Sequence, residues 1–297
     1  MRTSDRVFAL PIVLLLIGAL LPRPAFAQNE LSGQWKQKMF EDRPERGPGP
    51  WIGDYTGMPI NEEDRMRGDT WDAEKWAVLE RQCQPHPADY APRGPADLRI
   101  WADVDPLTQG VKAWNLTTSW MLPHRTIYMD GRPHPPSWAP NTWQGFSTAE
   151  WEGDALKITT DHLREAWVRR NGLARSDKAV LTEYLVRHHH YLTLVSIVED
   201  PIYLTEPFIR TSDWAEGEGN LTYPNMCVAG LEVAHEKGWV PFHLPGQNPW
   251  LYEWADKVGI PHEATRGGAE TMYPEYQKKL ASMPVNKTQM SSAKGAQ

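Results

Sequence analysis

The chain has 297 residues, 31 Lys and Arg against 38 Asp and Glu, and a formal net charge of −7. An acidic balance without a basic cluster argues against nucleic acid and anionic membrane surfaces as partners. Fifteen tryptophans against six phenylalanines is heavy indole usage, and Trp joins a large apolar area to one N–H donor that suits stacking on rings.

Arg2 and Arg6 precede an apolar run over residues 7–21, followed by Pro22-Arg23-Pro24-Ala25-Phe26-Ala27. A charged start, a short apolar stretch and small residues at Ala25-x-Ala27 predict a secretory signal peptide over residues 1–27. The run is short of the roughly 20 residues that span a bilayer. Losing Arg2, Arg6, Arg23 and Asp5 removes a net +2, so −7 becomes −9. The expected product is a soluble periplasmic or secreted protein with no membrane span after cleavage. Cys83 and Cys227, an even count in an oxidising compartment, predict one disulfide, worth about 2–4 kcal/mol. The C-x-x-H spacing of Cys83 and His86 is the rival, metal-binding reading.

Residues 28–97 read as an irregular, partly helical segment packed on the core. Gly33-Gln34-Trp35 resembles the G-x-W of lipocalin-like first strands. Asn61 followed by Glu62, Glu63 and Asp64 is a helix start, a capping side chain and then acids at the positive end of the dipole. A helix is expected over 61–82, interrupted near Gly68. From residue 98 the period becomes strand-like. Strands are expected over 98–102, 111–118, 125–129, 146–152 and 155–160, with hairpin turns at Asp130-Gly131 and Gly153-Asp154. Residues 163–168 read as a helical turn and 169–172 as an exposed loop.

Residues 179–207 then supply two strands joined at His188-His189-His190, and a third strand entered through Asp200-Pro201. The fold class is therefore mainly β. It is an antiparallel barrel, lipocalin-like, or a sandwich of about eight strands over residues 98–214, with a few peripheral helices. Residues 215–297 read as an irregular extension with a short helix over 274–281 and a polar tail.

The runs Arg125-Thr-Ile-Tyr-Met-Asp-Gly-Arg-Pro-His134, Gly145-Phe-Ser, Trp151-Glu-Gly-Asp154, Thr159-Thr160, Thr182-Glu183 and Glu199-Asp200-Pro201 resemble a widespread family of exported bacterial proteins with no assigned activity. The resemblance covers roughly residues 98 to 210. It implies a secreted β-rich domain and carries over no reaction.

Standard catalytic signatures are missing. His235-Glu236 and His262-Glu263 start like H-E-x-x-H, but Trp239 and Arg266 stand where the second His belongs. No G-x-S-x-G elbow, phosphate loop or dinucleotide fingerprint occurs, and no cofactor is expected. Glu183 shares a strand face with Leu181 and Leu185, so it must meet a cation or be neutralised; Arg125, Arg132 and His162 are candidate partners, and Leu194 or Val195 is expected opposite it. Glu183 with His162 or His134 could move protons. An ordinary structural ion pair fits the same pattern. Arg125, Arg132, Trp143, Trp151 and Arg187 are the candidate ligand contacts. His188 and His190, two apart in a strand, are a weaker alternative as paired metal ligands.

Three functions stay open. One is a carrier for an apolar or aromatic small molecule in a Trp-lined pocket. Another is a cofactor-independent isomerase, lyase or hydrolase using Glu183. The last is a pocketless envelope interaction protein.

Overall fold

A computed structural model describes residues 30–40, 43, 49–72, 82–93, 97–119, 121–219, 221, 236–238, 240 and 242–284. The strands among the described residues are β1 (Gly33–Lys38), β2 (Leu98–Val104), β3 (Val111–Thr118), β4 (His124–Tyr128), β5 (Phe146–Glu152), β6 (Ala155–Asp161), β7 (Ala166–Arg169), β8 (Leu173–Arg175), β9 (Val180–His188), β10 (Tyr191–Glu199) and β11 (Phe208–Glu216). Among the described residues four α-helices accompany them: α1 (Glu62–Thr70), α2 (Glu253–Val258), α3 (His262–Arg266) and α4 (Pro274–Leu280). Nine strands close a barrel in the order β1-β11-β10-β9-β6-β5-β4-β3-β2, and β7 pairs with β8 apart from it. No described helix is long and apolar enough to cross a membrane.

Alternation builds the wall. Along β9, Leu181, Glu183 and Leu185 face inward, and along β10 Leu192, Leu194, Ser196 and Val198 do. The interior is filled by Trp35, Trp114 and Trp214, which are fully buried, with Leu98, Ile100, Ile127, Leu156, Ile158 and their neighbours. Burying each large aliphatic side chain contributes about 1.5–3 kcal/mol. Removing edges altogether is what closure achieves for a sheet, and β1 performs it by pairing with both β11 and β2. The barrel thus starts at Gly33, ahead of the expected boundary at 98, and Leu31 and Trp35 are interior residues.

One end of the barrel is sealed by a second layer. Tyr55, Met58, Ile60, Val168 and Leu173 form one apolar cluster, and Ala88, Leu163, Ala179, Leu181 and Val198 another. Buried polar anchors tie this layer down. Arg175 Nε donates to Asp89 Oδ2 at 3.1 Å with both side chains fully buried. Arg210 of β11 donates to the carbonyls of Val168 and Asp89.

Several local expectations hold. Asn61 accepts the Asp64 amide as the cap of α1, Glu152 pairs with Ala155 around Gly153-Asp154, and α4 lies where the C-terminal helix was expected. Others change. The second half of the helix expected over 61–82 falls largely outside the described residues. Asp130-Gly131 closes no hairpin, because β4 and β5 run parallel, paired only at Ile127↔Ser147 and Tyr128↔Thr148; parallel neighbours need a long crossover, here residues 129–145. Residues 163–168 are not helical: Leu163 bridges to Thr142 and β7 follows. The 169–172 loop is buried, Asn171 donating to the carbonyls of Trp51 and Asp54. The strand expected after Asp200-Pro201 starts only at Phe208, since Asp200 is spent capping Ile202 and accepting from Ser176. Cys227 lies outside the described residues, as does the signal-peptide segment.

Candidate functional site

Glu183 is completely buried, and its cross-strand neighbours are Ser196 and Ile158 in place of Leu194 or Val195. Its partner is Arg125 on β4. Arg125 Nη2 donates to Glu183 Oε2 at 2.5 Å and to Thr160 Oγ1 at 2.6 Å, and Nε donates to Ser147 Oγ at 3.1 Å. Ser147 and Thr160 hydroxyls lie 2.8 Å apart. Four strands thereby contribute to one buried polar belt across the barrel. Glu183 Oε1 has no hydrogen-bond partner among the described residues. Beside Arg125 the barrel end keeps a void of only about 30 Å³, walled by Leu98, Leu116, Leu185, Leu194 and Trp214. That is room for about two waters, far below the several hundred Å³ of a drug-sized ligand pocket.

The expected catalytic pairing of Glu183 with His162 or His134 is not assembled. Thr160 points inward to Arg125, and the next residue, Asp161, points outward, so the two histidines sit on the opposite face of β6 from Glu183. Asp161 Oδ1 lies 2.7 Å from His162 Nδ1 and 2.8 Å from His134 Nδ1. His162 Nε2 donates to the Pro136 carbonyl at 3.0 Å. Acceptors lie at both ring nitrogens of His162, and the hydrogen bond to Asp161 lifts its pKa above the ordinary imidazole value. The pair acts as a staple that holds the 133–140 loop against the barrel.

Outside the wall, where β4 and β5 part below their two paired residues, lies an open cleft of about 400 Å³. Its sides are His124, Thr126 and Tyr128 of β4, Phe146 of β5, Pro85, and the turn carrying Trp143. No lining residue bears a fixed charge. Tyr128 and Phe146 rings lie 5.4 Å apart, and His134 packs edge-on against Phe146. Trp143 is held by its indole N–H donating to Gln84 Oε1 at 3.2 Å, with the Arg164 guanidinium 5.3 Å over its ring. The turn can pass this close to β6 only because position 145 is glycine: its φ is +64°, and a Cβ there would stand 2.4 Å from the Asp161 carbonyl oxygen.

A polar chain runs along the outer faces of β2, β3 and β4 into this cleft. Asn115 Nδ2 donates to Asp103 Oδ2 at 2.9 Å; Asn115 Oδ1 accepts from Thr126 Oγ1 at 2.9 Å and lies 3.1 Å from His124 Nε2. The Trp101 ring packs 5.3 Å from the His124 ring.

The remaining candidates scatter. Arg132 is bidentate on Asp130, 3.7 Å over the Tyr128 ring at the cleft's edge. Trp151 turns inward against the core. Arg187 lies near the opposite rim, over Trp35 and donating to the His189 carbonyl and Glu216. His188 ends β9 and His190 contacts Glu216; among the described residues no three His, Cys, Asp or Glu side chains are grouped to hold a metal. His124, Asn115, Tyr128 and Phe146 were not singled out from the sequence. Asn115 in mid-strand was the available signal, because Asn is depleted from strands unless its amide is used. No family model, curated protein or solved structure matches this chain.

Proposed function

We propose that the chain is an exported binding protein for a small, neutral, planar aromatic molecule, held in the cleft beside the β4–β5 seam. One observation carries this reading. Among the described residues, an uncharged cleft of about 400 Å³ rimmed by Tyr128, Trp143 and Phe146 is large enough for a ligand, while the void at the barrel end beside Arg125 is about 30 Å³. Aromatic rings with few polar groups favour flat apolar partners, and a lining without fixed charge offers nothing to offset desolvation of an ionic one. Export rests on the N-terminal pattern of Arg2, Arg6, the apolar run and Ala25-x-Ala27, and a Cys83–Cys227 disulfide suits that compartment. The Glu183–Arg125 belt, buried and internally paired, is assigned to structure.

The test is mass spectrometry of small molecules released from natively purified protein. A neutral aromatic compound at close to one per chain is expected, and Trp143→Ala should lose most of it. Equal retention by the variant, or no bound molecule in either, contradicts the assignment.

A further inference from the structure

The cleft holds a histidine whose protonation its neighbours dictate. Asp103 on β2 offers a carboxylate, which when ionised only accepts hydrogen bonds. It therefore takes the Asn115 NH₂ group, at 2.9 Å, and turns the Asn115 carbonyl oxygen the other way. That oxygen has two lone pairs. One accepts the Thr126 hydroxyl at 2.9 Å, and the other meets His124 Nε2 at 3.1 Å. An amide oxygen cannot donate, so the proton of this contact belongs to His124. The neutral imidazole is thereby fixed as the Nε2–H tautomer, and its Nδ1 is left with a lone pair, the usual consequence of one ring nitrogen being committed as a donor. Asn115 is 3% exposed, so its amide is shielded from competing water while Asp103 and His124 reach the surface. The His124 ring itself is exposed and forms part of the cleft wall.

We infer that His124 Nδ1 is the hydrogen-bond acceptor of the cleft and selects a hydroxylated aromatic, a phenol-type molecule, over its hydroxyl-free isostere. The ring of such a molecule lies along Tyr128, Phe146 and Trp143 while its O–H donates to Nδ1. Asp103 and Asn115 are positioning residues acting through His124. The inference rests on the binding reading above and adds the ligand's polar group to it.

The test compares phenol with anisole, which keeps the ring and the oxygen but has no O–H to donate. Binding is followed by the indole N–H signal of Trp143, and the His124 tautomer by ring ¹⁵N signals of labelled protein. The unliganded protein should show the Nε2–H tautomer. Phenol should bind up to about tenfold more tightly than anisole, the scale of one hydrogen bond. It should also move the Nδ1 signal, which anisole leaves in place. In His124→Phe the ratio of phenol to anisole affinity should fall to about one. Equal affinities in the wild type, or an Nδ1–H tautomer in the free protein, overturn this inference and leave the aromatic cleft standing. Failure of both probes to perturb Trp143 overturns both.

Discussion

Glu183 shows how a single carboxylate is accommodated on an apolar wall. Its alternation with Leu181 and Leu185 announces an inward position, and full burial is what the structure gives it. The cation it needs comes from β4, three strands around the barrel, together with the Ser147 and Thr160 hydroxyls. Breaking a buried pair by removing one partner leaves the other charge stranded and costs about 3–5 kcal/mol. Glu183→Gln should therefore lower the unfolding free energy from urea titration by that much, with a matching drop in midpoint, and the double change Arg125→Met, Glu183→Leu should recover most of the loss. An unchanged midpoint for Glu183→Gln would place the carboxylate outside the structural framework. Arg125 could be named as a partner because both residues punctuate apolar strands. That Ser196 stands opposite could not, because a two-residue turn and a longer one give registers differing by whole side chains, and only the observed His188↔Tyr191 pairing decides between them.

At the level of elements, what was local was legible. The β5–β6 and β9–β10 hairpins and the Asn61 cap each follow from neighbouring residues. The parallel β4–β5 seam and closure by β1 were not, because both join segments far apart in sequence and depend on the whole barrel being in place. The docking of α1 on β8 is another such contact, and it carries a pH signature. Asp64 of α1 is fully buried and accepts the Ala174 amide at 2.6 Å. Desolvation by burial raises its pKa to about 7, the Ala174 hydrogen bond opposing only part of the shift. In the unfolded chain it titrates near 3.8. Between those values the folded state binds more protons than the unfolded one, so stability falls as pH rises from about 4 to about 7 and stays lower above that. A shift of this size corresponds to a loss of about 4 kcal/mol. Asp64→Asn keeps an acceptor for Ala174 without the titration. The stability difference between variant and wild type should thus grow in the variant's favour across this window; parallel pH profiles would contradict the assignment.

On the scale of the whole molecule, the barrel is a scaffold whose interior is already occupied. Trp35, Trp114 and Trp214, which composition alone could have placed in a binding cavity, are core. The aromatic residues left for a ligand, Tyr128, Trp143 and Phe146, lie outside, where a parallel seam in an otherwise antiparallel barrel lets two strands diverge. Sequence pattern identifies aromatic residues and strand faces, but a cleft formed by strand divergence exists only once the non-local pairing is known. The central claim is thus positional: the ligand binds on the barrel's outer wall. Crystals soaked with 4-bromophenol test it directly, since anomalous scattering locates the bromine without reference to the protein. The account predicts a peak between Tyr128, Trp143 and Phe146 with the phenol oxygen toward His124. A peak inside the barrel beside Arg125 and Glu183 would contradict it.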